Sequence, residues 1–308
     1  MHNKDFFRFD IRRQNFNSWE ENIVDIDAIY AEFEALGNVK LPSSRIRSYR
    51  DAFQTLRERA QSKDKLDLRL AHRVLNTMVE FHQLKTILKA AKVSTKREMW
   101  KDRLRPLSSG AEFSKEESNF ASARDFQFES FLGAVCELSG FDVQFCEPDL
   151  IISDDSENYG IAAKRPRNKK KFERHYKKGV KQIFDSGVSG LVAIDVTFSL
   201  QSDKCINTND LCGAQIFVEE VANEFAFTNY DIIQNLSKDA RVIGALINVQ
   251  MPVINFGHSV APQLATATRW TIVPTIKDED GGFRWASEFA KKCEIGLFGP
   301  RSSSQKES

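Results

Sequence analysis

Cysteine is scarce in this 308-residue chain and unpatterned: Cys136, Cys146, Cys205, Cys212 and Cys293 form an odd set without a C-x-x-C pair. That suits reduced, mostly buried thiols better than a zinc site or a disulfide framework. The histidines His2, His72, His82, His175 and His258 have no metal-ligand spacing. There is no G-x-x-x-x-G-K-[ST] loop, so energy-driven work would need a partner. No stretch approaches the roughly 20 apolar residues of a membrane span. The first residues, Met1-His2-Asn3-Lys4-Asp5, lack an apolar signal core, so a cytoplasmic protein without membrane contact is expected. Charge of one sign is lacking as well. With Lys+Arg 44 against Asp+Glu 43 the net charge is +1, which excludes a globally basic coat and leaves only a local patch for any polyanion.

What is present is ordinary globular material, 41% hydrophobic and 28% charged, enough for one large domain or two. Ile26, Ile29, Tyr30 and Phe33 recur at helical spacing, with Gly37 standing where a helix would stop. Ser43 or Ser44 can cap a second helix through about Arg59, and residues 68–92 give a third with Leu75, Met78, Val79, Phe81 and Leu84 on its apolar side. The front, residues 1–110, is therefore expected to be all helical, and Arg105-Pro106-Leu107-Ser108-Ser109-Gly110 reads as the linker.

Beyond it, a helix over about 118–138 and a turn at Gly140 precede β-rich runs at 142–146, 150–152 and 159–163. A charged helix over about 171–186 leads to the apolar run Leu191–Phe198, a strand–helix–strand unit whose simplest pairing is parallel. Residues 215–236 and 283–293 read as helices, 242–249 and 270–273 as strands. The expectation is an α/β fold, a mixed β-sheet flanked by helices over 111–299, behind a helical domain and ahead of a polar tail at 300–308.

The chemistry-bearing residues gather between Phe126 and Gln182: Phe128-Glu129, Glu147-Pro148-Asp149, Ala162-Ala163-Lys164 and Gln182. Hydrolysis of a phosphodiester needs a hard cation, which carboxylates can hold, and a positive group beside the charge that develops on phosphorus, which a lysine can supply. Because strand side chains alternate, Asp149 and Lys164 can face one cleft from neighbouring strands.

A helix with an inward glutamate, a turn, a strand reaching Pro-Asp and a hairpin to a strand ending in x-x-Lys resembles the PD-(D/E)XK nuclease superfamily, over roughly residues 118–200. The resemblance implies a restriction-endonuclease-like fold and Mg2+- or Mn2+-dependent endonucleolytic hydrolysis of DNA, in a setting of DNA processing or antiviral defence. By the same resemblance Asp149 and the backbone carbonyl of Ala163 would bind the metal, Lys164 would act on the attacking water, and Gln182 would help orient the site. The sequence departs from the family at Ala162, where an acid is usual. Glu129 on the preceding helix is placed to supply the second carboxylate, with Glu147 in reserve. A nuclease-derived module that binds nucleic acid without cleaving it is the alternative.

After Lys164 comes a dense basic run, from which Arg165, Lys169, Lys170, Lys171, Arg174 and Lys178 are expected to hold phosphates. The front arginines Arg45, Arg47, Arg50, Arg57 and Arg59 would extend that groove, or serve a protein partner or a homo-oligomer. Asp195, an acid inside an apolar strand, needs a buried partner. Gly257-His258-Ser259-Val260-Ala261 imitates a nucleophile elbow, but Pro262 follows and the strand–turn–helix setting is missing.

Overall fold

A computed structural model describes residues 9–17, 19–38, 40–41, 44–62, 68–108, 123–154, 157–201, 205–238, 241–255, 257, 263–275 and 281–298. The last two residues of the expected linker, Ser109 and Gly110, the elbow-like stretch after Gly257 and the tail lie outside them. The front helices follow the sequence closely: α1 (Trp19–Gly37), α2 (Arg45–Ser62) and α3 (Leu68–Val93). Of the two cap candidates Ser44 acts, its Oγ accepting from the Arg47 amide at 3.1 Å.

Two corrections concern this front. It is not all helical, because β1 (Phe9–Asn17) pairs antiparallel with β8 (Gln263–Pro274). Its sequence hides it, since Phe9 and Ile11 share one parity and Phe16 the other, and polar residues fill the rest. The expected linker is in part helix, α4 (Arg97–Leu107), with Pro106 tolerated in its last turn. Its buried face, Trp100, Leu104 and Leu107, is a legible helical stripe.

Then come α5 (Ala123–Leu138), β2 (Asp142–Gln144), β3 (Leu150–Asp154), β4 (Glu157–Lys164), α6 (Phe172–Ser186), β5 (Ser189–Asp195), α7 (Thr197–Gln201), β6 (Ile206–Thr208), α8 (Leu211–Leu236), β7 (Val242–Asn255) and α9 (Gly281–Phe298). The sheet is mixed, with the order β1-β8-β7-β5-β4-β3-β2, and β6 lies beside β7 past the end of β5. β4 and β5 pair in parallel as the strand–helix–strand pattern requires. The expected strand 191–198 stops at Asp195, whose carboxylate accepts from the Thr197 amide at 3.1 Å and turns the chain into α7.

Each face of the sheet is covered. One hydrophobic cluster joins α1 to α5 and α9 to the strands, so the front helices share a core with the sheet. The second, under α6 and α8, holds Ala162, Phe172, Tyr176, Ile183, Val192 and Val218 among others. α6 approaches β5 closely because Gly179 has no side chain: a Cβ there would sit 2.4 Å from Val192 Cγ1. Gly187, at φ +75°, ends α6 in the left-handed conformation that glycine tolerates best.

Candidate active site at the end of β4

β3 and β4 form a hairpin in which Leu150 faces Ile161, so Asp149 stands one step beyond β3, beside the end of β4. Residues 147–149 form a turn rather than a strand continuing through Pro148, and Glu147 is exposed within it. Asp149 Oδ2 accepts from the Ala163 amide at 2.7 Å and from Lys164 Nζ at 2.7 Å. Lys164 Nζ also donates to the Ala163 carbonyl at 2.8 Å. Gln182, on α6, donates from Nε2 to the Pro148 carbonyl at 2.9 Å and to Asp149 Oδ1 at 3.3 Å. The two strand ends thus bring carboxylate and ammonium together, and one helix fixes the carboxylate.

Glu129 completes the group from α5. Burial and the Asp149 carboxylate push its carboxyl above the usual range, against Arg103 and Lys164, which pull it down. Its Oε2 accepts from Arg103 Nη1 at 3.1 Å. Arg103 belongs to α4 and was not singled out from the sequence. Only the stripe that reveals α4 would have pointed to it, since Arg103 precedes Leu104 by one position.

Ala162, where a second acid would be expected, is fully buried against α6, in the apolar cluster that Gly179 and Val192 share. A carboxylate there would be sealed between helix and sheet, which is a packing reason for the alanine. Among the described residues no three acidic, histidine or cysteine side chains gather into a metal-holding group. The nearby oxygens are two carboxylates, with Glu129 within electrostatic reach of Asp149, and one backbone carbonyl, all hard donors suited to magnesium or manganese. Asp149 Oδ2 and the Ala163 carbonyl already share one cation, the Lys164 ammonium. The donor set fits a divalent ion in kind.

The basic run divides. Lys169, Lys170 and Lys171 form an exposed 3-10 turn, which Asn168 caps by accepting from the Lys170 amide, and Arg174 and Lys178 are exposed on α6. His175, between them, is half-buried and held below its usual range by burial and by Lys178. Arg165 is a correction: it is 6% exposed, so it faces inward rather than toward a ligand. Its Nε donates to Asp195 at 2.6 Å, its Nη1 to the Arg124 carbonyl at 2.7 Å and its Nη2 to Gln83 at 3.2 Å. Asp195 has in Arg165 the buried partner its setting required.

Of the front arginines, Arg45 is buried on Glu80, while Arg47 pairs with Asp51 and Arg50 with Asp27. Arg57 is exposed. Among the described residues no helix is long and apolar enough to cross a membrane. No protein-family model matches the chain, and neither a curated protein nor a solved structure matches it.

Proposed function

We propose that this chain is a metal-dependent nuclease of the restriction-endonuclease-like, PD-(D/E)XK kind, hydrolysing phosphodiester bonds with DNA as preferred substrate. One observation carries the reading: Asp149 and Lys164, from neighbouring strand ends, meet at 2.7 Å with Glu129 close enough for the two carboxylates to disturb each other. Asp149, Glu129 and the Ala163 carbonyl would hold magnesium or manganese, which supplies Lewis-acid charge to the phosphoryl group.

Lys164 orients the attacking water and, as an ammonium, stabilises negative charge developing on the phosphoryl oxygens. Gln182 keeps Asp149 in place through Oδ1. Lys169, Lys170, Lys171, Arg174 and Lys178 bind the backbone, releasing counterions, so affinity falls steeply as salt rises.

The second reading, a module that binds but does not cleave, is favoured by the ion pairs themselves: Lys164 already neutralises Asp149 and Arg103 already neutralises Glu129. Plasmid and linear DNA incubated with Mg2+ or Mn2+ separate the two. The nuclease reading expects wild-type cleavage and a loss of about a hundredfold or more in Asp149→Ala and Lys164→Ala, with DNA binding retained. Salt-sensitive binding with no cleavage by any of the three supports the module instead.

A further inference from the structure

Two arginines border this site, and they are used differently. Arg165 spends all three of its nitrogens on protein acceptors and is buried. Arg103 makes one hydrogen bond among the described residues, from Nη1 to Glu129 at 3.1 Å. Its Nε and Nη2 make no hydrogen bond among the described residues, and 14% of the side chain is exposed. A guanidinium carries five N–H donors in a rigid plane, so most of its capacity is unspent.

Its position is nevertheless fixed. The guanidinium carbon lies 4.2 Å from the centre of the Phe126 ring and 3.8 Å from that of Phe145. α4 is anchored beside it by Trp100, whose Nε1 donates to Glu137 at 2.7 Å and whose ring meets Phe145 edge to face. The Arg103 charge feels Asp149 as well as Glu129. Two aromatic rings thus hold a guanidinium that bonds one carboxylate, lies within electrostatic reach of a second and keeps donors that no described residue uses.

We propose that Arg103 is a phosphate ligand of the site, contributed by the front helices and masked by Glu129 until a divalent cation engages that carboxylate. The inference rests on the nuclease reading above. Glu129 is bonded to Arg103 and feels Lys164, and the aromatic clamp means that the carboxylate, not the arginine, changes partner. Arg103 then presents its planar fork to a phosphate, the geometry guanidinium matches best. The basic turn after β4 and Arg103 from α4 would hold the substrate from two sides.

The test compares wild type, Arg103→Met and Arg103→Lys, using calorimetric titration with MnCl2 and initial cleavage rates on plasmid DNA at saturating Mn2+. Arg103→Met frees Glu129 from its competitor and should bind Mn2+ roughly threefold tighter or more, while cleaving about tenfold or more slowly. A structural role would weaken both together. Arg103→Lys keeps the charge without the fork, and should lose rate at an unchanged melting temperature. If Arg103→Met melts early, the lysine variant decides alone: reduced cleavage supports the inference, full cleavage overturns it. Arg103→Met that binds Mn2+ no tighter, or cleaves as fast as wild type, also overturns it. A wild type that takes up no Mn2+ and cleaves nothing refutes the nuclease reading itself, whereas a wild type that does both isolates the failure to Arg103.

Discussion

Two clusters of acids and bases meet at α5, and their carboxyls shift in opposite directions although burial pushes both up. In the inner one, burial alone would raise the Glu80 carboxyl, yet Arg124, Arg45 and Arg165 outweigh it and hold it down to about 2. Glu80 accepts from Arg45 at 2.7 Å, from the Tyr49 hydroxyl at 2.6 Å and from Arg124. The same network continues through Gln127 to Gln83, which accepts from Arg165 and donates to Gln250, tying the front helices to the sheet. In the outer cluster Asp149 pairs with Lys164 and Glu129 with Arg103, and burial and Asp149 push Glu129 up instead. The acid that three arginines hold down stabilises the fold, whereas the raised carboxyl, with one arginine and one lysine serving two acids, is the one that an added cation would relieve.

Breaking the inner cluster should have the largest effect. Glu80→Leu leaves buried arginines without their acid, and urea melts should show a loss of about 3–5 kcal/mol. Retained stability would mean that the network is incidental.

Acid should act next, through His82. Burial, then Lys85, lowers its imidazole to about 4, and its Nε2 is buried without a partner among the described residues. A base depressed in the folded state contributes stability that is present above its unfolded value near 6.5 and lost as pH falls toward 4. His82→Phe, which keeps the contact with Phe131, should flatten that limb by on the order of 2 kcal/mol in melts across the range. Glu80, depressed likewise, keeps its contribution down to ordinary carboxyl values and loses it only as pH falls further toward 2.

The smallest effect sharpens the comparison most. Because the folded Glu129 carboxyl is raised, its favourable contribution is present at acid pH and lost as pH rises through the folded value. Glu129→Gln should therefore stabilise the metal-free protein at pH 8 by a few tenths to about 1 kcal/mol, and not at pH 4. Destabilisation at both values would place Glu129 with Glu80 as a structural acid.

The sequence made the line from Glu129 through Asp149 to Lys164 and Gln182 legible because local signals carry it, a helix stripe, strand alternation and charge, although the Pro-Asp step read as strand is a turn. It concealed whatever depends on distant partners. β1 has polar, off-parity residues because it is formed by pairing with β8. Arg165 sits in a basic run yet turns inward, since Asp195, thirty residues on, neutralises it. Arg103 reaches the site only because α4 docks on α5, and Ala162 reads as a missing acid until Gly179 is found packed over it.

The most direct test is the melting temperature at pH 8 with and without saturating Mn2+, for wild type and for an Asp149→Asn, Glu129→Gln double variant. A cation that binds only the folded state should raise the wild type by several degrees and leave the double variant where it was. A wild-type curve that Mn2+ does not move, or an equal rise in both proteins, would contradict the claim that these two carboxylates form a cation site.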